Sequence, residues 1–279
     1  MSRPKTIIDA DHEESGYWRD LWAYRGLFRF LAWRDLLVRY KQTVIGIAWA
    51  VIRPLLTIVV FSFFRTFLTK ETDVEAAVLG VAVATIPWTL FSSALSESSN
   101  SLITNSNLIT KVYFPRMIVP ISTIIVCIID FLISLVILAG IMIWFGHPPT
   151  WNIVFMPVFF LLAIFASMGL GIFLSALNVK YRDFRYVVPF IIQLGMFVSP
   201  IAISSAEIYS SPTIPRILKG LYSLNPMVAV IDGFRWSILG EPFVTNQTGL
   251  ILSLGVTVLM FITGVWYFRK TEKKFADVI

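Results

Sequence analysis

Four basic side chains stand where the chain passes from a polar segment into a long apolar run. They are Arg34, Arg39, Lys41 and Arg53. Such groups donate charge-assisted hydrogen bonds to anions, and beside an apolar run they also mark the cytoplasmic side of a membrane helix. Pro54 directly follows Arg53 and interrupts the run. Residues 34–56 therefore predict a chain that enters a bilayer from the cytoplasmic side.

The composition indicates a membrane protein built of helices. Of 279 residues, 57% are hydrophobic and only 14% are charged, whereas about a quarter are charged in a soluble domain. The apolar runs are continuous instead of alternating, which favours helices over a β-barrel. The net charge is +6, and the basic residues cluster beside these apolar runs. Membrane topology therefore explains the charge better than nucleic-acid binding does. The predicted fold is all-α and polytopic.

Six apolar segments are long enough to be membrane spans, which need about 20 residues each. They cover residues 44–64, 76–95, 118–145, 153–177, 187–203 and 250–268. Residues 1–43 are predicted to be a cytoplasmic tail and an amphipathic interfacial helix, and residues 44–279 the transmembrane domain. That helix is either a simple anchor or a surface for a protein partner. Residues 227–239 are too short to cross and carry two charges, so residues 214–240 are predicted to form an external re-entrant helical hairpin.

Loop charges predict the orientation of these spans. Basic residues follow the second, fourth and sixth spans: Lys111, Arg116, Lys180, Arg182, Arg185, Arg269, Lys270, Lys273 and Lys274. The opposite loops hold few, so both termini are predicted to be cytoplasmic. The first two basic loops are compact and amphipathic, which favours docking of a cytoplasmic partner over anchoring alone.

Two charges lie inside predicted spans at similar depths. Arg53 is nine residues into the first span and Asp130 twelve residues into the third, which is about 13 and 18 Å at the helical rise. A charge at such depth costs at least ~2.5 kcal/mol and usually faces protein or water. The arrangement we favour has Arg53 reaching back to the surface and Asp130 bonding a nearby Ser or Thr. In the alternative, the two side chains approach each other, directly or through a polar neighbour.

Aromatic residues make up 15% of the chain, and several lie within the predicted spans. Those of interest are Trp49, Phe61, Trp88, Phe190 and Phe197. Aromatic faces stack on sugar rings and give a smooth wall, so these residues are candidates to line a channel. Packing in the core or against lipid is the commoner role of such residues.

Signatures of catalysis are missing from the sequence. There is no phosphate-binding P-loop, no HExxH and no GxSxG motif. The two histidines, His12 and His147, are far apart, and the single cysteine, Cys127, cannot form a disulfide within the chain. We therefore predict no catalytic residue, no metal site and no cofactor on this chain.

Four motifs, in order along the chain, resemble one membrane-protein family. They are RDLLVRYKQTVIGIAWAVIRPLL (34–56), NLITKVYFPR (107–116), NVKYRDFRYVVPF (178–190) and SLNPMVAVIDGFRWSILG (223–240). The chain resembles the membrane subunits of ABC-2 type transporters, specifically permeases that export O-antigen, capsular or teichoic-acid polysaccharides. The resemblance covers nearly the whole chain beyond a tail of about fifteen residues.

The resemblance implies a homodimer in the bacterial plasma (inner) membrane, with a channel between two six-span halves. It implies a separate cytoplasmic ATPase subunit that carries ATP and Mg²⁺, which fits the lack of a P-loop in this sequence. The implied cargo is a polysaccharide linked to a lipid, usually undecaprenyl pyrophosphate. Membrane lipids are a further expected contact, and nucleic acid is not.

The resemblance also implies roles for particular residues. The lipid head group enters past the basic residues Arg34, Arg39, Lys41 and Arg53. The ATPase couples to two loops through Asn107, Lys111, Arg116, Lys180, Arg182, Asp183 and Arg185. The external gate is formed by Asn225, Pro226, Gly233, Phe234, Arg235 and Trp236.

Three other functions fit parts of the sequence. An exporter of a small lipid or drug would leave surface glycan unimpaired when it is deleted. A membrane enzyme acting on a polyprenyl carrier would work without an ATPase, but the sequence lacks paired acidic or histidine residues near the membrane face. A passive anchor for an ATPase need not bear the cost of charged, interrupted spans.

Overall fold

The computed structural model describes residues 16–41, 48–69, 73–245 and 247–275. Within these ranges the chain is helical and contains no β-strand, so the all-α prediction is confirmed there. The predicted tail at residues 1–15 and the predicted start of the first span at 44–47 lie outside the described residues.

Within the described ranges, five helices are long and apolar enough to cross a membrane. They are α3 (Ala48–Thr69), α4 (Val74–Thr104), α6 (Ile118–Phe145), α7 (Met156–Lys180) and α12 (Gln247–Thr271). The shorter helices are α1 (Tyr17–Ala23), α2 (Arg25–Lys41), α5 (Ser106–Lys111), α8 (Phe184–Phe197), α9 (Ser205–Ser210), α10 (Arg216–Ser223) and α11 (Pro226–Leu239). Short 3₁₀ segments precede α7 at Trp151–Phe155 and follow α12 at Glu272–Lys274.

The predicted bounds hold best where the apolar run is uninterrupted. α6 has the predicted bounds of 118–145. α4 starts before the predicted span because Asp73 caps it, accepting hydrogen bonds from the N–H groups of Glu75 and Ala76 at 3.0 and 3.2 Å. The polar C-terminal end of α4 also stays helical. There, the hydroxyls of Ser99 and Ser101 donate to carbonyls three residues earlier, so these polar groups find their partners within the helix.

The predicted fifth span, residues 187–203, is only partly helical. α8 has 14 residues, about 21 Å at the helical rise, while the hydrocarbon core of a bilayer is about 30 Å thick. Pro200 disfavours helical backbone at the residue before it, and the Ser199 hydroxyl donates back to the Gly195 carbonyl at 2.7 Å. The chain therefore continues after α8 as an irregular turn.

α4 is the central helix and the most deeply buried of the five long helices. It packs against α3, α6, α7 and α11, and its fully buried small residues, such as Ala77, Ala84 and Ala94, permit close helix packing. α7 and α12 approach even more closely. A Cβ atom on Gly169 of α7 would lie 2.6 Å from the Phe261 Cα of α12, so only glycine fits there.

Both ends of the described chain meet at one end of the bundle, which we call the basic end. The Tyr17 hydroxyl donates to Glu272 Oε2 at 3.0 Å. Burial first, and the Glu272 carboxylate next, raise the pKa of Tyr17, so this hydroxyl keeps its proton. Asn178, near the end of α7, donates to the Ser99 carbonyl, near the end of α4, at 2.7 Å. The Arg116 guanidinium donates to the Glu272 carbonyl, which brings the start of α6 to the same end.

The predicted hairpin at residues 214–240 contains two helices, α10 and α11, that contact each other. Asn225 caps α11 by accepting from the Met227 N–H at 3.0 Å, and Gly240 ends it in the left-handed conformation, at φ 74°. α11 is buried along most of its length against α4, α7 and α12. The helical hairpin is therefore present, and its re-entrant place in a membrane stays a prediction.

Candidate functional site

A cavity of about 330 Å³ lies between α2, α3, α4 and α6. Its polar lining consists of Arg39, Tyr40, Arg53, Thr89, Ser93, Cys127, Asp130 and Ser134. The apolar part of the wall includes Trp49, Pro54 and Phe131. Each helix contributes at least two lining residues, so the cavity depends on how these four helices pack.

Asp130 is the centre of the charge network in this cavity. Its Oδ2 atom is 3.0 Å from Nη2 of Arg39, and its Oδ1 atom accepts a hydrogen bond from the Tyr40 hydroxyl. Glu97 is a second, more distant anion, with Oε1 3.8 Å from Nη1 of Arg39. A carboxylate twelve residues into α6, about 18 Å along the helix, needs such partners.

The favoured sequence prediction named the wrong partner for Asp130. The Ser134 hydroxyl donates to the backbone carbonyl of Asp130, while the carboxylate bonds Arg39 and Tyr40. Arg53 lines the same cavity as Asp130, but the ion pair forms with Arg39. The physical reason is that the end of α2 packs along α6, whereas the sequence predicted an amphipathic helix lying in the interface.

The four basic residues predicted to meet a head group divide into two pairs. Arg39 and Arg53 line the cavity. Arg34 and Lys41 instead line a groove on the outer face of α2, with Phe30, Trp33, Leu37 and Val38. Arg34 is also held by Asp35 Oδ1 and Asn105 Oδ1, each at 2.6 Å. Within the described ranges, the side chains of Lys41 and Arg53 have no ion pair.

The predicted channel aromatics lie in three different environments. Trp49 lines the cavity and is 46% exposed, while Phe190 and Phe197 project from α8 and are exposed. Phe61 is partly buried against the core. Trp88 is only 5% exposed, and a Cβ on Gly195 would lie 2.8 Å from its Cη2 atom. In this conformation Trp88 therefore packs between α4 and α8 instead of lining a channel.

The residues predicted to form an external gate belong to a closed, buried region around α11. Arg235 is 2% exposed, and its guanidinium donates to the carbonyls of Gly80 at 3.4 Å and Ile201 at 3.3 Å. Asp232 accepts hydrogen bonds from the hydroxyls of Ser205 and Thr245. These contacts attach α11 to the start of α4 and to the turn after α8.

Other predicted gate residues pack tightly in the same region. Phe234 is fully buried, Pro226 is the buried first residue of α11, and Trp236 contacts the rings of Phe155 and Phe159. A Cβ atom on Gly233 would overlap the Phe159 ring. In this conformation the predicted gate residues hold α11 in the core, and a gating role stays a prediction.

A family profile described as "ABC-2 type transporter" matches residues 26–239, which include the cavity and α11. The chain belongs to the ABC-2 type transporter family. It is therefore a transport subunit and not an enzyme.

Two curated relatives resemble this transporter along almost its whole length. A protein of Myxococcus xanthus is 26% identical over 261 residues, covering 94% of this chain and 98% of the relative. A protein of Klebsiella pneumoniae is 26% identical over 250 residues, covering 88% of this chain and 92% of the relative. Both are named "O-antigen export system permease protein RfbA".

Most residues predicted to couple the transporter to an ATPase are exposed at its basic end. In α5, Asn107 and Lys111 are exposed while Ile109 is buried, so the helix presents its polar face. The turn between α7 and α8 exposes four more: Lys180, Arg182, Asp183 and Arg185. Arg116 differs because it is half-buried and holds the Glu272 carbonyl. It therefore positions the start of α6.

Sequence reasoning missed Tyr40, Glu97 and Arg65 in the transporter. Tyr40 and Glu97 complete the network of Asp130 and Arg39, but no local pattern links positions so far apart in sequence. Arg65 lies just past the predicted end of the first span and is buried in α3. Its Nη1 atom would lie 2.9 Å from a Cβ on Gly80. The available signal was a second arginine, after Arg53, in a largely apolar helix.

Proposed function

We propose that this chain is the membrane-spanning permease subunit of an ATP-driven exporter that moves a lipid-linked polysaccharide out of the cytoplasm. The observation that carries this proposal is the nearly full-length similarity to two permeases named for O-antigen export. Membership of the ABC-2 type transporter family over residues 26–239 supports the transport class.

The cavity between α2, α3, α4 and α6 is the proposed site for the head group of the carrier lipid. Its two guanidinium groups, of Arg39 and Arg53, match the phosphate oxygens of a pyrophosphate, which arginine binds with charge-assisted hydrogen bonds. The half-exposed ring of Trp49 in the same wall suits the apolar face of a first sugar. The apolar residues between them suit the start of the lipid tail.

The proposed topology has six crossings, with α8 and the following turn as the fifth. The contacts of this segment support it: Gly195 lies against Trp88 in the middle of α4, and Arg235 joins Ile201 to Gly80 near the start of α4. The segment thus rises from the basic end towards the opposite end. Six crossings return the C-terminus to the side of the N-terminus, and the basic loops favour the cytoplasm for that side. We propose the bacterial inner membrane for this topology, because the two relatives named for O-antigen export are bacterial proteins.

The proposed partner is a cytoplasmic ATPase that binds ATP and Mg²⁺ and docks on α5 and the α7–α8 turn. Both surfaces are exposed and carry basic residues at the same end of the bundle. A second copy of the permease is proposed to complete the path for the polymer, which needs a longer channel than one cavity. The exposed rings of Phe190 and Phe197 on α8 are candidates to face that path, with α11 as its external gate.

Deletion and complementation in the source bacterium test this function. Deleting the gene should abolish surface polysaccharide and cause lipid-linked polymer to accumulate in the cytoplasm, as measured by immunoblotting of intact and lysed cells. Unimpaired surface glycan in the deletion strain would contradict the proposal and favour a small lipid or drug as cargo.

Affinity purification in mild detergent tests the partner. The wild-type permease should retain a stoichiometric ATPase, and a variant with Arg182→Glu and Arg185→Glu should retain much less. Arg216→Glu is the control, because this exposed basic residue lies on α10, away from the basic end. Equal recovery of the ATPase with both variants would exclude the α7–α8 turn as a docking surface.

A further inference from the structure

Asp130 forms an ion pair with Arg39, which is an arginine that an anionic head group would need. We propose that Asp130 is an internal substitute for the cargo's phosphate: its carboxylate holds Arg39 while the cavity is empty, and the pyrophosphate displaces it on binding. This inference rests on the proposed head-group cavity and adds a competing ligand that belongs to the protein itself.

The geometry fits a contact that can be exchanged. The Arg39–Asp130 distance of 3.0 Å is that of a strong ion pair, yet the two side chains are 27% and 25% exposed and both line the cavity. A ligand in the cavity can therefore reach the guanidinium without unfolding any helix. A fully enclosed pair would lack this property, because separating it would leave charges in an apolar interior.

The cavity also contains a hydrogen-bond donor for the Asp130 carboxylate after it is displaced. The Tyr40 hydroxyl donates to Oδ1 of Asp130, while Arg39 approaches Oδ2. When a phosphate takes Arg39, the Tyr40 hydrogen bond remains, so the released carboxylate keeps a partner. An unpaired polar group would add a penalty to binding, and Tyr40 reduces that penalty.

Charge balance favours the exchange for a multiply charged anion. The cavity wall contains two guanidinium groups, of Arg39 and Arg53, against the single carboxylate of Asp130. Within the described part of the chain, the Arg53 guanidinium has no ion pair. A pyrophosphate can bond both arginines, whereas Asp130 bonds only Arg39. Weakly binding or singly charged anions therefore do not displace Asp130 from Arg39. Asp130 is in this way a specificity-determining residue.

The exchange would also loosen the end of α2. Arg39 and Tyr40 both lie in its last turn, and Asp130 joins that turn to α6. Two side-chain contacts join this turn to Asp130, one from Arg39 and one from Tyr40. When Arg39 moves to the head group, the first of these is lost and a bond to the cargo takes its place. Binding of cargo would therefore change how α2, which precedes α3 in the chain, is held against α6.

A binding assay on the full permease with its ATPase in lipid nanodiscs tests this inference. The probe is farnesyl pyrophosphate, with farnesol as the control for the lipid tail, and affinity is measured by microscale thermophoresis. Asp130→Asn removes the competing charge and should bind the probe about tenfold tighter. Glu97→Gln is the matched control, since its contact with Arg39 is longer at 3.8 Å, and it should change affinity less than threefold.

Tyr40→Phe gives a second, opposite expectation. It removes the bond that would support the displaced carboxylate, so the probe should bind several-fold more weakly. Weaker or unchanged binding by Asp130→Asn would overturn the inference if either Arg39→Gln or Arg53→Gln weakens binding. If neither arginine variant changes binding, the head-group cavity itself is wrong, and the inference falls with it. If Asp130→Asn is not monodisperse on size exclusion, Tyr40→Phe decides: unchanged or tighter binding contradicts the proposal.

Discussion

The cavity and the region around α11 each combine an arginine with an aspartate, but water reaches them to different extents. At the cavity, Arg39 and Asp130 are each about a quarter exposed and bond each other. At α11, Arg235 is 2% exposed and bonds backbone carbonyls, while Asp232 bonds two hydroxyls. A buried charge is tolerated only with such hydrogen bonds, and its removal leaves partners unpaired.

This difference distinguishes a site that can bind a ligand from a contact that holds helices together. An ion pair that faces an open cavity can exchange partners at low cost, so it suits a charged ligand that comes and goes. A charge enclosed by fixed carbonyls has no such freedom and suits a joint between helices. The comparison predicts that mutations near α11 reduce stability strongly, whereas mutations at the cavity reduce transport with little effect on stability.

Two tryptophans test a wider form of this contrast, between the buried core and the cavity, with the largest expected effect. Trp88→Ala should reduce the free energy of unfolding by about 4 kcal/mol, because a buried ring leaves a cavity when truncated. Trp49→Ala should cost about 1 kcal/mol or less, because Trp49 is 46% exposed, but it should weaken cargo binding. Denaturant titration in mixed micelles measures the loss of stability in each variant. Similar losses of stability would contradict the distinction between core and cavity.

Arg235→Met should have the next largest effect, about 3 kcal/mol, because the carbonyls of Gly80 and Ile201 lose a buried hydrogen-bond donor. Thermal unfolding in detergent, followed by tryptophan fluorescence, measures the change. Arg53→Met is the matched control, since Arg53 is exposed, and its melting temperature should stay near that of wild type. A stable Arg235→Met variant that still exports polymer would show that α11 does not depend on this joint.

Gly233→Ala should cost about 2 kcal/mol, because the new methyl group overlaps the Phe159 ring and forces the core to shift. Gly140→Ala in α6 is the control, since a Cβ there meets nothing within 4 Å, and alanine favours helix. It should leave stability unchanged or slightly increased. Equal stability of the two variants in the same denaturant titration would mean that the contact between α11 and α7 is loose.

The sequence predicted the features that follow from a single continuous segment. The bounds of α6 and the helical hairpin ending at Gly240 are examples, because an uninterrupted apolar run and a terminal glycine act locally. The short α8 was predicted less well, since Pro200 breaks the helix inside an apolar stretch. The Arg39–Asp130 contact could not be predicted at all, because it depends on α2 packing against α6, which apolar periodicity does not encode.

The candidate site shows the same limit. Composition identified Asp130 and Arg53 as charges that need partners, but it could not say which cation lay beside which carboxylate. Arg34 illustrates this, because its side chain is shared between Asp35 and Asn105. Arg34 therefore joins α2 to the junction of α4 and α5, where a coupling partner is proposed to act.

Arg39→Gln should have a small effect on stability and a large effect on transport. A partly exposed ion pair contributes roughly 0–1 kcal/mol, and Asp130 keeps its hydrogen bond from Tyr40, so the melting temperature should change by only a few degrees. Export should fall at least tenfold, because the head group loses one of its two guanidinium groups. Surface polysaccharide and protein level in complemented cells measure the two quantities separately. A large fall in protein level would mean that Arg39, like Arg235, mainly fixes helices, and the contrast between the two sites would disappear.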